Sequence, residues 1–247
     1  MYDELKLILG KGKRMVFFGG AGVSTESGIP DFRSESGLYN AQNRYGVPPE
    51  YLLSEECFRR DPEMFFSYYK ENLVAKNARP NKAHLALAML EEQGKLAAVI
   101  TQNVDGLHQM AGSKNVLELH GSVHDNRCLA CGRGYDLDSF LDVRLWKSGI
   151  PGCPVCGGRI KPRVVLYGEA LDEECIRLSV EAIVGADVLI IGGTSLAVWP
   201  AAGFIRYFKG EKLVLINRSE TGMDQQADLV IRQPIGEVLE ECLMIKE

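Results

Sequence analysis

Residues 15–33, "MVFFGGAGVSTESGIPDFR", run an apolar segment straight into glycines and on into a polar stretch ending in Phe-Arg. An apolar strand that ends in G-x-G brings backbone N–H groups close to the pyrophosphate of a dinucleotide. Gly20 and Gly22 hold the first two glycine positions, but Thr25 stands where the third is expected. The loop has exchanged close helix packing for a hydroxyl, and it continues through Ser-Gly-Ile-Pro-Asp-Phe-Arg instead of closing at once into a helix.

Working outward, the same kind of apolar run recurs at 97–102, 116–119, 163–167, 187–193, 212–217 and 227–232. Helical periodicity separates the runs in "PNKAHLALAMLEEQG", "DEECIRLSVEAIVG" and "PAAGFIRYFKG". Continuous apolar strands are buried on both faces, and their alternation with helices gives βαβ units. The pattern predicts an α/β fold with a Rossmann-like parallel sheet. Two segments do not fit it: 34–79 is aromatic and helical in pattern, and 122–162 is poor in strand signal and carries paired cysteines. The expected organisation is a Rossmann-like domain from 1–33, 80–121 and 163–247. A helical insertion with the cofactor loop at 34–79 and a zinc-ribbon insertion at 122–162 together form a smaller domain.

A chain of 247 residues, 46% hydrophobic and 25% charged, can bury a full core. Its net charge of −5 argues against a nucleic-acid partner bound through phosphate neutralisation and is compatible with positively charged substrates. No apolar run approaches the roughly 20 residues of a membrane span, and "MYDELKLILGKGKR" reads as an amphipathic helix without a signal-peptide core. No membrane partner and a cytoplasmic location are therefore expected.

Four of the seven cysteines form two C-x-x-C pairs, Cys128/Cys131 and Cys153/Cys156, separated by 21 residues. Paired thiols in a reducing compartment bind metal more readily than they form disulfides, and four thiolates at this spacing can surround one tetrahedral zinc. With every position filled by sulfur, such a zinc is structural. Cys57, Cys175 and Cys242 lie on helical patterns among apolar neighbours and read as buried thiols.

Polar groups cluster just past two strands, in "TQNVDGLHQMAG" (101–112) and "LELHGSVHDNRC" (117–128). In an open parallel sheet the carboxyl ends of the strands face the ligand crevice. His120 follows a strand and precedes a glycine, which makes it the first candidate for a general base. His124 is an alternative base, His84 reads as a core histidine, and His108 is ambiguous. Asn103 and Asp105 are candidate site residues that could equally be turn formers.

Taken together, "GAGVSTESGIPDFR", "TQNVDGLHQMAG", "ELHGS", the two C-x-x-C pairs, "KPRVVLYGE", "GTSLAVWPAA" and "LINRSE" resemble, in order, the sirtuins, NAD-dependent protein lysine deacylases. The resemblance implies NAD and zinc as cofactors and an acetylated protein or peptide as partner. It implies that acetyl-lysine is deacetylated with cleavage of NAD to nicotinamide and formation of O-acetyl-ADP-ribose. On this resemblance Gly20, Ala21 and Gly22 approach the phosphates, with Ser24 and Thr25 adding hydroxyl donors. Ile29, Asp31, Phe32 and Arg33 fold over the nicotinamide half, and Val104 and Asp105 complete its pocket. Gln102 would bind a ribose hydroxyl, Asn103 and Ser24 would orient the ribose and a water, and His120 would act as base. Gly193, Thr194 and Ser195 would add phosphate contacts; Asn217 and Ile235 would contact the adenosine. A substrate strand would pair with "VVLYGE" and "SLAVWP", its lysine passing Val164, Val165, Tyr167, Gly168 and Val198. Sirtuins that prefer acidic acyl groups carry a Tyr and an Arg three residues apart in the helical insertion. Here Tyr68 is followed by Glu71 and Tyr69 by Asn72, so acetyl is the expected group. A mono-ADP-ribosyltransferase and a non-catalytic NAD- or zinc-binding module remain open at this point.

Overall fold

Met15 to Phe18 have no accessible surface, and that follows from their place at the middle of a sheet covered on both sides. The computed structural model describes residues 2–31 and 42–243. Strand β1 (Met15–Gly19) is flanked on one side by β2 (Leu96–Thr101) and β3 (Val116–Glu118). The other three strands of this six-stranded parallel sheet follow the smaller module in the chain.

The smaller module combines antiparallel strands with helices. β4 (Gly121–Cys128) pairs with β5 (Gly134–Tyr135) and with β8 (Ile160–Val164), while β6 (Trp146–Lys147) and β7 (Ile150–Pro151) make a separate ribbon. β9 (Val188–Gly192), β10 (Lys212–Ile216) and β11 (Leu229–Ile231) then complete the parallel sheet in the order β11-β10-β9-β1-β2-β3. The chain direction of assembly reverses between β1 and β9, and a ligand crevice opens at such a switch point.

Alternation along each strand divides the core in two. Met15, Phe17, Val99, Ile190 and Val214 face α1 (Asp3–Lys11), α6 (Lys82–Glu92) and α10 (Ile235–Leu243). Val16, Phe18, Ile100, Ile191 and Leu215 face α9 (Glu173–Val184) and the short 3₁₀ segment Ala201–Tyr207. Each fully buried side chain of this size contributes about 1.5–3 kcal/mol, which is why the sheet interior reads so clearly in the sequence. A third cluster joins the helical insertion to the antiparallel strands: α2 (Gln42–Tyr45), α3 (Pro49–Leu52), α4 (Glu55–Arg60), α5 (Pro62–Asn72) and α8 (Leu137–Phe140) bury Phe58, Phe65, Phe66, Tyr69 and Phe140 with Ile160 and Val164. The short α7 (Leu107–Ala111) lies between β2 and β3.

One strand expectation is corrected. The run 163–167 does not join the parallel sheet; residues up to Val164 belong to β8, whose burial alternates because one of its faces is covered and the other is open. The expected module boundaries at 122 and 162 fall inside β4 and β8. The helical pattern in "PAAGFIRYFKG" forms a 3₁₀ segment. Among the described residues no helix is long and apolar enough to cross a membrane.

Candidate active site and metal centre

After β1 the glycine loop makes two tight turns, Ala21–Val23 and Thr25–Ser27, and leaves them through Gly28 at φ 81°. Glycine at 22 is a packing requirement: a Cβ there would lie 2.8 Å from the carbonyl oxygen of Gly193, which accepts the Gly22 N–H at 2.8 Å. The loops after β1 and β9 are thereby joined across the switch point.

Thr25 turns its hydroxyl inward, donating to the Gly22 carbonyl at 3.0 Å. The residue in place of the third glycine pins the loop from within. Ser24 is also engaged, donating to Asp105 Oδ2 at 2.7 Å and accepting from Asn103 Nδ2 at 3.0 Å. Both hydroxyls expected as donors to the cofactor are thus committed to protein partners. Two further anchors were not visible in the sequence. Asn81 Nδ2 donates to Val23 O at 2.7 Å and to Ser27 Oγ at 3.0 Å, and Glu26 accepts the Gly236 N–H of α10 at 2.9 Å.

The end of β2 supplies the other wall. Gln102 donates through its backbone to Gly19 O at 3.0 Å and through Nε2 to Thr194 Oγ1 at 3.1 Å, so its amide ties two loops together. Asp105 is both turn former and site residue: Oδ1 accepts the Leu107 N–H at 2.9 Å while Oδ2 meets Ser24. Val104 and Ile29 are half-buried beside this turn, and Asp31 is the last of the described residues 2–31. Phe32 and Arg33 lie outside the described residues.

His120 stands between β3 and β4, with its Nδ1 2.9 Å from the Gln102 carbonyl. A carbonyl only accepts, so Nδ1 carries the proton and Nε2 keeps a lone pair. Burial lowers the His120 pKa below its ordinary value, against the opposing pull of the Gln102 hydrogen bond. The ring is therefore neutral near pH 7 and oriented as a base. Its own carbonyl accepts the Val165 N–H at 2.8 Å, which fixes the backbone there. His124, the alternative base, is exposed and bonds the Asp105 carbonyl at 3.0 Å, where Nε2 must be the donor. His84 is buried, as expected, and accepts the Asn81 N–H at 3.2 Å; His108 is buried against it.

The remaining positions divide. Gly193 (φ 58°), buried Thr194 and exposed Ser195 line the loop after β9. Asn217 closes β10, with its N–H on Ile231 O at 3.0 Å and Nδ2 on Ser219 O at 2.8 Å. Ile235 is 3% exposed and packs in the core with Phe17 and Val238, so its side chain is spent on packing. Of the positions expected to line the substrate, Val164 is buried, Val165 and Val198 are half-buried, Tyr167 is exposed and Gly168 adopts φ 95°. The Tyr167 backbone differs from the expected free edge: its N–H donates to Leu53 O at 3.0 Å and its carbonyl accepts the Glu55 N–H at 2.9 Å. The helical insertion covers that part of the strand.

The four paired cysteines converge. Their sulfurs lie within 4.8 Å of one another, with Cys128 to Cys156 at 3.4 Å and Cys131 to Cys153 at 3.7 Å. Four thiolates around zinc at about 2.3 Å stand about 3.8 Å apart, so the group fits a tetrahedral ion with no open position. Each pair ends in a glycine whose N–H returns to the first cysteine's carbonyl: Gly132 to Cys128 at 2.9 Å and Gly157 to Cys153 at 2.8 Å. The Tyr135 hydroxyl lies 3.0 Å from Cys153 Sγ. Cys57 is buried, while Cys175 and Cys242 are half-buried.

Comparison with known proteins agrees with this geometry. A family model described as "Sir2 family" matches residues 20–200. The chain belongs to the Sir2 family. A Clostridium acetobutylicum protein named NAD-dependent protein deacetylase is 58% identical over 98% of this chain and 97% of its own length. One of the same name from Clostridium perfringens is 57% identical over 96% of each. Among solved structures, "Sir2-p53 peptide-NAD+" superposes with a TM-score of 0.88 at 36% identity, covering 99% of this chain and 98% of that one. A Sir2 variant with deacetylated p53 peptide and 3'-O-acetyl ADP ribose gives 0.88 at 36% identity, covering 98% and 96%. The Sir2 family thus accounts for the parallel sheet, the glycine loop and the four-cysteine group in one chain.

Proposed function

We propose that this Sir2-family chain is an NAD-dependent protein lysine deacetylase that releases nicotinamide and transfers the acetyl group to ADP-ribose. The observation that carries the reading is His120, held by Gln102 in the tautomer that leaves Nε2 as a neutral base at the carboxyl edge of the sheet. When bound, NAD supplies the acceptor of the acetyl group.

The residues present suit that substrate. The joined loops at Gly22 and Gly193 offer close backbone approach for a pyrophosphate, aided by Gly20, Ala21, Thr194 and Ser195. Asn217 stands at the adenosine end, where Ile235 contributes through its backbone. Ser24, Asn103 and Asp105, already hydrogen-bonded to one another, hold the nicotinamide and ribose side with Ile29, Asp31 and Val104; Phe32 and Arg33 complete it by resemblance. His120 takes the proton of a ribose hydroxyl at Nε2, and Asn103 orients the water that follows. Acetyl-lysine enters beside Val164, Val165, Tyr167, Gly168 and Val198, with the peptide pairing to backbone groups other than those of Tyr167, which the helical insertion already holds. Cys128, Cys131, Cys153 and Cys156 bind a structural zinc. The use of paired cysteines for metal supports a cytoplasmic location.

The test is mass spectrometry of products from NAD and an acetyl-lysine peptide. Deacetylated peptide, nicotinamide and O-acetyl-ADP-ribose in equal amounts are expected. ADP-ribosylated protein without deacetylation would instead indicate a mono-ADP-ribosyltransferase, and no product a binding module.

A further inference from the structure

Two buried histidines take no part in the chemistry above. His84 on α6 and His108 on α7 are 0% and 1% exposed, and their rings meet at a centroid distance of 4.6 Å. Among the described residues His84 Nε2 and both ring nitrogens of His108 have no hydrogen-bond partner. A buried polar group without a partner costs about 1–3 kcal/mol, so a ring contact kept at that cost calls for a physical reason.

The reason lies in what each helix holds. His84 Nδ1 accepts the Asn81 N–H at 3.2 Å, fixing the start of α6, and the Asn81 amide reaches across to Val23 O and Ser27 Oγ at 2.7 and 3.0 Å. At the other helix Asp105 caps Leu107 N–H with one oxygen and receives the Ser24 hydroxyl with the other. Two arms, Asn81 from α6 and Asp105 from α7, thus hold one glycine loop on either side of Ser24. The two helices that bear the arms meet through the histidine rings, with Phe17 of β1 against His108 at 6.2 Å.

We propose that the His84–His108 ring contact is the joint of a two-armed clamp that sets Ser24 against Asp105, making His84, His108 and Asn81 positioning residues for the nicotinamide end of NAD. The proposal rests on the deacetylase reading for what is bound there. The joint works by ring packing, since the His108 nitrogens have no hydrogen-bond partner among the described residues. A phenyl ring therefore replaces the His108 imidazole, whereas a methyl group does not.

Three variants test this. Asn81→Asp keeps the oxygen that accepts the Ala83 N–H at 2.9 Å but loses the donor to the loop. It should raise KM for NAD by about 3- to 10-fold, the size of one or two lost hydrogen bonds, with KM for the acetylated peptide and zinc content unchanged. His108→Ala should do the same, and His108→Phe should restore the wild-type KM for NAD. A purely structural pair would lower thermal stability and the active fraction while leaving both KM values alone. Unchanged KM for NAD in Asn81→Asp and His108→Ala, or a His108→Phe protein as weak as His108→Ala, overturns the clamp. Calorimetric binding of NAD needs no turnover and separates the two readings. Wild-type protein that binds NAD more tightly than Asn81→Asp but leaves acetyl-lysine intact overturns the deacetylase reading and keeps the clamp. Wild-type protein that binds no NAD overturns both.

Discussion

The carboxyl edge of the parallel sheet and the four-cysteine group are both collections of polar atoms, yet they are held by opposite means. At the sheet edge β1 and β9 are buried throughout, and the loop after β1 is fixed by protein hydrogen bonds from four directions: Gly193, Asn81, Asp105 and Gly236. In the metal group Cys131 and Cys156 are exposed, as are Leu129 and Val155 in the two turns. The described part of the first region is held by the protein's own groups. The second joins two buried cysteines, Cys128 and Cys153, at the edge of the aromatic cluster to two exposed ones on short turns, so an ion shared by all four is expected to hold the exposed pair in place.

Removing the metal is the harshest test of that difference. Structural zinc contributes on the order of 10 kcal/mol in small modules, coupled to folding. Cys131→Ser, or chelation of the wild type, is expected to abolish activity and to open the 128–156 region to proteolysis while the parallel sheet keeps its circular dichroism. A metal-free protein with unchanged activity and proteolytic resistance would show that the aromatic cluster around Phe66 and Phe140 holds the module alone.

At the sheet edge the complementary experiment removes function without removing order. His120→Ala should reduce kcat by about 10²- to 10⁴-fold, the usual loss for a general base, with the melting temperature close to that of the wild type. Near-normal turnover would sink the assignment of the base.

What the sequence disclosed follows the same division. Parallel strands such as "DVLIIGG" announce themselves because both faces are buried, and the C-x-x-C-G turns do so because thiolate spacing is local. The run 163–167 misled because an apolar stretch does not say which sheet it joins; "IKPRV" already alternates as a one-sided strand does. β4 was missed because seven of its eight residues, "GSVHDNRC", are small, polar or charged or bear a thiol, leaving Val123 alone as an ordinary strand hydrophobe. Two anchors of the glycine loop were invisible for another reason. Asn81 and Glu26 meet partners 58 and 210 positions away, and no local pattern encodes such a pair. The inward turn of Thr25 is likewise a tertiary fact.

The buried histidine pair gives the sheet side a pH dependence. Burial lowers His84 to about 4 and His108 to about 3, each from 6.5, with Asp105 opposing the shift at His84 and His84 reinforcing it at His108. Both are neutral in the fold, while the unfolded chain takes up protons once the pH falls below about 6.5. The stability they contribute is therefore present above that pH and is lost as the pH falls toward 4. Each histidine adds a slope of about 1.4 kcal/mol per pH unit inside the window. Denaturant titrations between pH 7 and 5 should show stability falling, and His108→Phe should make the fall shallower. An equal slope in both proteins would mean that carboxylates alone set the acid sensitivity.

The smallest expected effect concerns which acyl group is removed. Tyr68 of α5 is fully buried and stands against the ring of Tyr45 at 5.5 Å. Burial first, then Tyr45, Glu50 and Tyr167, push its hydroxyl up to about 12. One turn on, Glu71 is not a free anion: Arg44 meets it through two nitrogens at 2.9 and 3.3 Å, and the Tyr45 hydroxyl donates at 2.8 Å. Spacing within α5 supplies no cation; Arg44 of α2 brings one from outside the helix, and Glu71 already occupies it. Lys70 lies over Trp146 at 4.2 Å and serves another face. An acidic acyl chain would have to displace Glu71 from Arg44 after giving up its own water, whereas an acetyl group asks nothing of that pair. The wild type should therefore favour acetyl-lysine over succinyl-lysine on the same peptide by at least about 10-fold in kcat/KM, equivalent to roughly 1.4 kcal/mol. Glu71→Gln leaves Arg44 without its carboxylate and should narrow that preference several-fold by raising the succinyl value. Equal rates on both acyl groups in the wild type, or a preference that Glu71→Gln does not change, would show that the Arg44–Glu71 pair lies away from the acyl chain.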